Sequence, residues 1–164
     1  MNAIRFLVPA AAALLASPAA AAPVGSPMQF FEGRTEGTGT VRILLDKPYR
    51  TRSVGQGRFQ SDGSMLFVQR VEDEGQPPRE RRWKIRQTGP RKFAGTMSEA
   101  IGPVTIDEVA GRFRFRFKMK GNLSIEQWLI PLAGGATARN SMTVRKFGVK
   151  VGTSEGMIRK IASR

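Results

Sequence analysis

The stretch Gly111-Arg112-Phe113-Arg114-Phe115-Arg116-Phe117-Lys118-Met119-Lys120 alternates apolar and cationic residues without a break. A β-strand sends successive side chains to opposite faces. A strand here therefore sets Phe113, Phe115, Phe117 and Met119 on one face and Arg112, Arg114, Arg116, Lys118 and Lys120 on the other. Upstream, Trp83 and Ile85 alternate in the same way with Arg82, Lys84 and Arg86, and Val41, Ile43 and Leu45 do so around Arg42. Met65 to Val71 is apolar on both faces, which predicts a strand that is central or covered outside. Near Lys146 the phase slips: Met142 and Val144 keep one parity, Phe147, Val149 and Val151 the other. A bulge or bend beside Gly148 is the expected cause.

Turn signals separate these segments at short intervals: Asp46-Lys47-Pro48, Asp62-Gly63, Gly75-Gln76-Pro77-Pro78, Gly89-Pro90, Gly102-Pro103, Gly121-Asn122 and Gly134-Gly135. The persuasive helical turn lies at Pro27 to Phe31. The pattern is that of an all-β, antiparallel, up-and-down meander of about eight to nine strands after a short N-terminal helical turn. With no helical crossover, such a sheet protects its edges best by closing on itself. A calycin- or lipocalin-like barrel is therefore favoured over an open two-sheet sandwich. Its interior would carry the Phe, Met, Val and Ile set and its exterior the cations, with room for side chains or one small ligand.

The chain has 164 residues and neither histidine nor cysteine. Those absences remove Ser-His-Asp and Cys-His nucleophile systems, thiolate and imidazole zinc sites, and disulfides. No cofactor and no metal site are expected. The formal charge of +14 favours anionic partners, such as nucleic acid, anionic lipid or an acidic glycolipid.

The first residues read as a secretory signal: Arg5, then the apolar run Phe6 to Ala16, then the small residues Ser17 to Ala22. Cleavage before Ala22 leaves 143 residues carrying +13, with a linker at 22–27 and a single domain at 28–164. The expected compartment is the periplasm or the exterior, which weighs against a nucleic-acid partner. No cysteine follows the apolar run, so no lipid anchor is expected.

Several segments carry a resemblance. Phe30-Phe31-Glu32-Gly33, Arg82-Trp83-Lys84-Ile85, Phe93-Ala94-Gly95, Leu123 to Leu129, and Asn140 to Gly152 with its core Lys146-Phe147-Gly148-Val149 resemble, in that order, an uncharacterised bacterial envelope family, domain of unknown function 3833. The similarity spans about Met28 to Lys160. It implies a calycin-type barrel in the cell envelope, and it brings no established activity or catalytic residue. Members of that family are usually lipoproteins, so the absent cysteine is a departure. Glu126-Gln127 before Trp128 is another, where two acids are usual.

Few residues offer catalytic chemistry. Gly152-Thr153-Ser154-Glu155-Gly156 has the letters of a nucleophile elbow but lacks a following helix and a histidine, so a hairpin turn is expected. Glu72-Asp73-Glu74 precedes a Gly-Pro turn and reads as solvated. Asp107 and Glu108, adjacent on a strand, would face opposite ways.

Nineteen of the 26 cations after the signal fall in three segments, Arg79 to Lys92, Arg112 to Lys120 and Arg139 to Arg164. If those strands were neighbours, like charges would oppose one another unless anions intervened. The candidate interior ligand residues are Trp83, Phe113, Phe115, Phe117, Trp128 and Glu126. The candidate anion-facing residues are Arg82, Lys84, Arg86, Arg112, Arg114, Arg116 and Lys118. The expected function is noncatalytic binding or carriage of a small apolar or amphipathic, lipid-like molecule. The alternative is a filled barrel that displays cations to an anionic membrane or lipopolysaccharide surface. An enzyme would need two acids to converge, with Glu126 or Asp107 the candidates. Oligomeric state is not legible.

Overall fold

The computed structural model describes residues 25–162; the expected signal, its cleavage site and the start of the linker lie outside them. A helical turn α1 (Pro27–Phe31) precedes ten strands: β1 (Gly33–Ile43), β2 (Tyr49–Phe59), β3 (Met65–Asp73), β4 (Arg79–Gly89), β5 (Lys92–Met97), β6 (Ala100–Val109), β7 (Arg112–Met119), β8 (Leu123–Pro131), β9 (Thr137–Lys146) and β10 (Val149–Ile161). Each strand pairs antiparallel with the next, and β1 pairs with β10, so the sheet is a closed barrel.

Ten strands replace the eight or nine expected because Phe147-Gly148 makes a hairpin where a bulge or bend was expected; the turn between β5 and β6 falls at Ser98-Glu99, with no Gly or Pro to announce it. Gly102-Pro103, expected as a turn, instead lies within β6 at a break in register between Ile101 and Thr105. Gly152 to Gly156 is not a turn either but the interior of β10. The phase slip near Lys146 has two causes. Phe147-Gly148 forms the β9–β10 hairpin tip, and β10 is bulged between Lys150 and Gly152.

Parity decides what lies inside. Phe113, Phe115 and Phe117 are buried while Arg112, Arg116 and Lys118 are exposed. Leu66 and Val68 point outward and are only half covered, so β3 is apolar on both faces without being enclosed. Where β1, β3, β5, β7 and β9 begin, the barrel is filled by Phe30, Met65, Ile106, Phe113 and Leu129, all essentially inaccessible.

The helical turn plugs that end. Its single turn is too short to be stable alone. It is set by Pro27 at the first position and by the Ser26 hydroxyl, which accepts the Gln29 N–H at 3.1 Å. Burial of Met28, Phe30 and Phe31 holds it, with Phe31 and Phe67 rings 4.7 Å apart. Gly57 lets the plug seat on β2, since a Cβ there would fall 2.0 Å from the Phe31 carbonyl oxygen.

Candidate functional site

The opposite end is hollow. Where β1, β3, β7 and β9 finish, the barrel encloses a cavity of about 670 Å³ open to solvent at the rim. Ten strands give a wider interior than eight. The bulky side chains stop short of the mouth, so the closed end is packed and the open end is not.

The floor is Trp83 and Phe117, edge to face with centroids 5.7 Å apart. From there the two sides of the barrel differ. On β3, β4 and the β5–β6 turn the inward residues are Gln69, Val71, Asp73, Arg79, Arg81 and Glu99, all polar or charged except Val71. Five strands away, on β8 and β9, they are Ile125, Gln127, Asn140, Met142 and Val144, joined by Met119 and Leu123 near the rim. The cavity is thus amphipathic: a charged wall faces a mainly apolar one. Gln127 Nε2 donates to Asn140 Oδ1 at 2.7 Å, which satisfies a polar pair low on the apolar side.

The charged wall is an ion-pair chain. Arg79 donates from Nη1 to Asp73 Oδ2 at 2.6 Å and from Nε to Glu99 Oε1 at 3.0 Å. Arg81 Nη2 reaches Glu99 Oε2 at 2.6 Å. Two guanidiniums and two carboxylates cancel, so the cluster enters the partly desolvated mouth without net charge, the condition under which such groups are tolerated. Burial opposes ionisation of Asp73. Hydrogen bonds from Thr51 and Arg79 and the charges of Arg79 and Arg81 overcome it and hold the carboxyl below its ordinary range. Burial, then the Asp73 charge, raises the Tyr49 phenol, which stays neutral at the rim. Ser154, the would-be nucleophile, is buried on the inner face of β10.

The expected interior residues divide three ways. Trp83 and Phe117 line the cavity. Phe113 and Phe115 point inward but belong to the filled end. Trp128 and Glu126 lie on the outside, because Ile125, Gln127 and Leu129 take the inward parity of β8. There Trp128 is contacted by Arg112 and Arg114, whose guanidinium carbons sit 5.3 and 5.6 Å from its ring centroid, two cation–π contacts. Its indole N–H reaches Glu126 Oε1 at 3.4 Å.

The seven anion-facing candidates are all on the outer face, and most are occupied. Arg82 pairs with Glu80 and Lys84 with Asp62, while Arg114 and Arg116 share Asp107. Among the described residues, Arg86, Arg112 and Lys118 form no ion pair. The basic segments are not neighbours: β5 and β6 separate β4 from β7, and β8 separates β7 from β9. Arg114 opposes Asp107 and Trp128, and Arg116 opposes Glu126, so the β7 cations do not face like charges; across the β9–β10 hairpin Arg145 does oppose Lys150. Glu108 instead binds Arg91 and the Gly111 N–H.

Asp73, read with Glu72 and Glu74 as solvated, instead faces the cavity and pairs with Arg79, and Arg79, Arg81 and Glu99 were not among the candidate site residues. Arg79 and Arg81 share the parity of Trp83 and Ile85, the one signal that could have placed them inside. Among the described residues, no three Asp or Glu side chains gather closely enough to hold a metal ion.

A family model described as protein of unknown function (DUF3833) matches residues 6–160. The chain belongs to the DUF3833 family. No curated protein matches this DUF3833 sequence. Among solved structures its barrel is similar to an S-type phycobiliprotein lyase from Guillardia theta, with a TM-score of 0.67 at 9% identity over 84% of this chain and 92% of the lyase. It is also similar to a protein of unknown function of the DUF3598 family from Nostoc punctiforme, with a TM-score of 0.61 at 12% identity. That match covers 90% of this chain and 54% of the other. At these identities the likeness is one of fold, and it makes the DUF3833 barrel calycin-like.

Proposed function

We propose that the protein is a noncatalytic, exported barrel that binds or carries one small amphipathic, lipid-like molecule in its open half. The observation that carries this reading is the division of the cavity into a charged wall and an apolar wall. A volume of about 670 Å³ is in the range of small-molecule pockets. An apolar body would lie against Ile125, Met142, Val144 and the Phe117 ring. A polar head would lie toward Arg79 and Arg81, whose guanidiniums can exchange part of their carboxylate contacts for ligand oxygens.

A noncatalytic role is supported by the residues themselves. The sequence holds no histidine or cysteine. The two inward acids at the mouth are engaged by arginines, and Asp107 and Glu126 lie outside on different strands. The phycobiliprotein lyase shares the fold, but at 9% identity no catalytic step is transferred from it. Export rests on the signal-like segment before Ala22.

Native mass spectrometry of the mature protein after mild purification, followed by solvent extraction, tests the reading. A one-to-one adduct of lipid-like mass is expected. A bare polypeptide that also takes up nothing from a mixture of fatty acids and lysolipids would overturn it.

A further inference from the structure

The rim of the open end carries a feature that neither folding nor the cavity requires. Among the described residues, the four most exposed large apolar side chains are Leu45 (97%), Phe147 (75%), Val149 (64%) and Leu44 (62%). All four lie at two hairpin tips, Val149 as the first residue of β10. The Leu44 N–H bonds the Val151 carbonyl at 2.8 Å, Ile43 pairs with Gly152 and Val149 with Lys146, so the β1–β2 and β9–β10 tips stand side by side. Leu45 and Phe147 are the tip residues themselves, with φ of 71° and 48°. Glycine or asparagine occupies that conformation at lower cost than a bulky side chain. The chain thus holds two large apolar groups in water at positions where local stability favours neither.

The charge around them is mainly positive. Arg42 and Lys47 flank the first tip, Lys146 and Lys150 the second, and Asp46 is the sole acid in these two loops. None of these four cations forms an ion pair among the described residues. A second copy docked face to face would bring cations against cations. A phosphate-bearing bilayer instead accepts the tips in its interfacial region and the cations at its headgroups.

We propose that the twin loop tips at Leu44-Leu45 and Phe147-Val149 are a docking surface for an anionic phospholipid bilayer, holding the barrel mouth against it. The proposal goes beyond the cavity reading and stands whether or not the cavity carries a ligand.

Co-sedimentation of the full mature chain with phosphatidylcholine vesicles, with and without phosphatidylglycerol, tests it without any ligand. Binding is expected to need phosphatidylglycerol and to weaken as salt shortens the screening length from about 10 Å to about 3 Å. The double variant Leu45→Asn/Phe147→Asn is expected to melt at or above wild type, since asparagine accepts the tip conformation, yet to bind at least about tenfold more weakly. Lys146→Gln/Lys150→Gln is expected to lose a similar factor, and Arg112→Gln/Arg116→Gln to bind as wild type. The proposal is overturned if wild type ignores phosphatidylglycerol, if the asparagine variant binds undiminished, or if the outer-face variant loses as much.

Discussion

Gly156→Ala places a methyl group where the barrel closes. Gly156 opposes Gly39 across the β1–β10 ladder and Asn140 across the β9–β10 ladder. An added Cβ would stand 2.1 Å from the Thr38 carbonyl oxygen and 2.7 Å from the Gly39 Cα, against the 3.0 Å below which Cβ contacts essentially never fall. These are backbone atoms that cannot rotate away, so β1 and β10 must part by about 1 Å. Overpacking of this kind costs about 1–3 kcal/mol, and weakening one or two ladder hydrogen bonds adds about 0.5–1.5 kcal/mol each. A loss of roughly 2–5 kcal/mol follows, or roughly 5–15 °C in Tm for a chain of this size. Gly89→Ala is the control: nothing lies within 4 Å of its added Cβ. Its effect should stay within about 0.5 kcal/mol. Thermal melts followed by circular dichroism, with urea titration for ΔG, read both. Equal shifts for the two variants would refute the reasoning that β1 and β10 close the barrel through glycine contacts.

Asp73→Asn removes the carboxylate that holds Arg79 and Thr51 and should destabilise by about 1–3 kcal/mol, measured by urea unfolding. In wild type, Asp73 ionises more readily folded than unfolded. Its stabilisation is therefore fully present above the unfolded pKa of about 4 and is lost as pH falls through the lower folded value. Acid unfolding curves should be steeper in that window for wild type than for Asp73→Asn, and identical slopes would contradict the pairing. At the same wall, Arg81→Gln should weaken a fatty acid at least about tenfold while leaving the alcohol of equal chain length nearly unchanged, by calorimetric titration. Parallel losses would show that the head does not face the arginines.

The barrel was legible because β7 alternates so cleanly: Phe113, Phe115 and Phe117 have one side that water excludes and one that it solvates. Turn residues announced most hairpins, and Pro27 with Ser26 announced the helical turn. The tenth strand was hidden because the parity change at Phe147-Gly148 fits a bulge as well as a hairpin, and the β5–β6 turn was misplaced because Ser98-Glu99 folds without glycine or proline.

The site was less legible. Trp128 and Ile130 break the alternation of β8, so the apolar content of that strand does not reveal its inward face; the neighbours β7 and β9 decide it. Arg79 and Arg81 share the parity of buried Trp83, but a cation read alone is assigned to water. Only the arrival of Asp73 and Glu99 from other segments makes an inward guanidinium tolerable, and that is a property of tertiary pairing. The rim tips carry a local trace, since Lys146-Phe147-Gly148-Val149 sets a phenylalanine in a hairpin turn, where glycine, asparagine and aspartate prevail.

The central claim, that a small amphipathic molecule occupies the open half of the barrel, is most directly tested by the two tryptophans. Trp83 floors the cavity and Trp128 lies on the outer face. In Trp128→Phe, Trp83 is the sole tryptophan, and titration with a brominated fatty acid is predicted to quench it saturably at one equivalent. In Trp83→Phe, Trp128 is predicted to respond weakly and without saturation. Quenching confined to Trp128, with Trp83 unaffected, would place the lipid on the outside of the sheet and contradict the account.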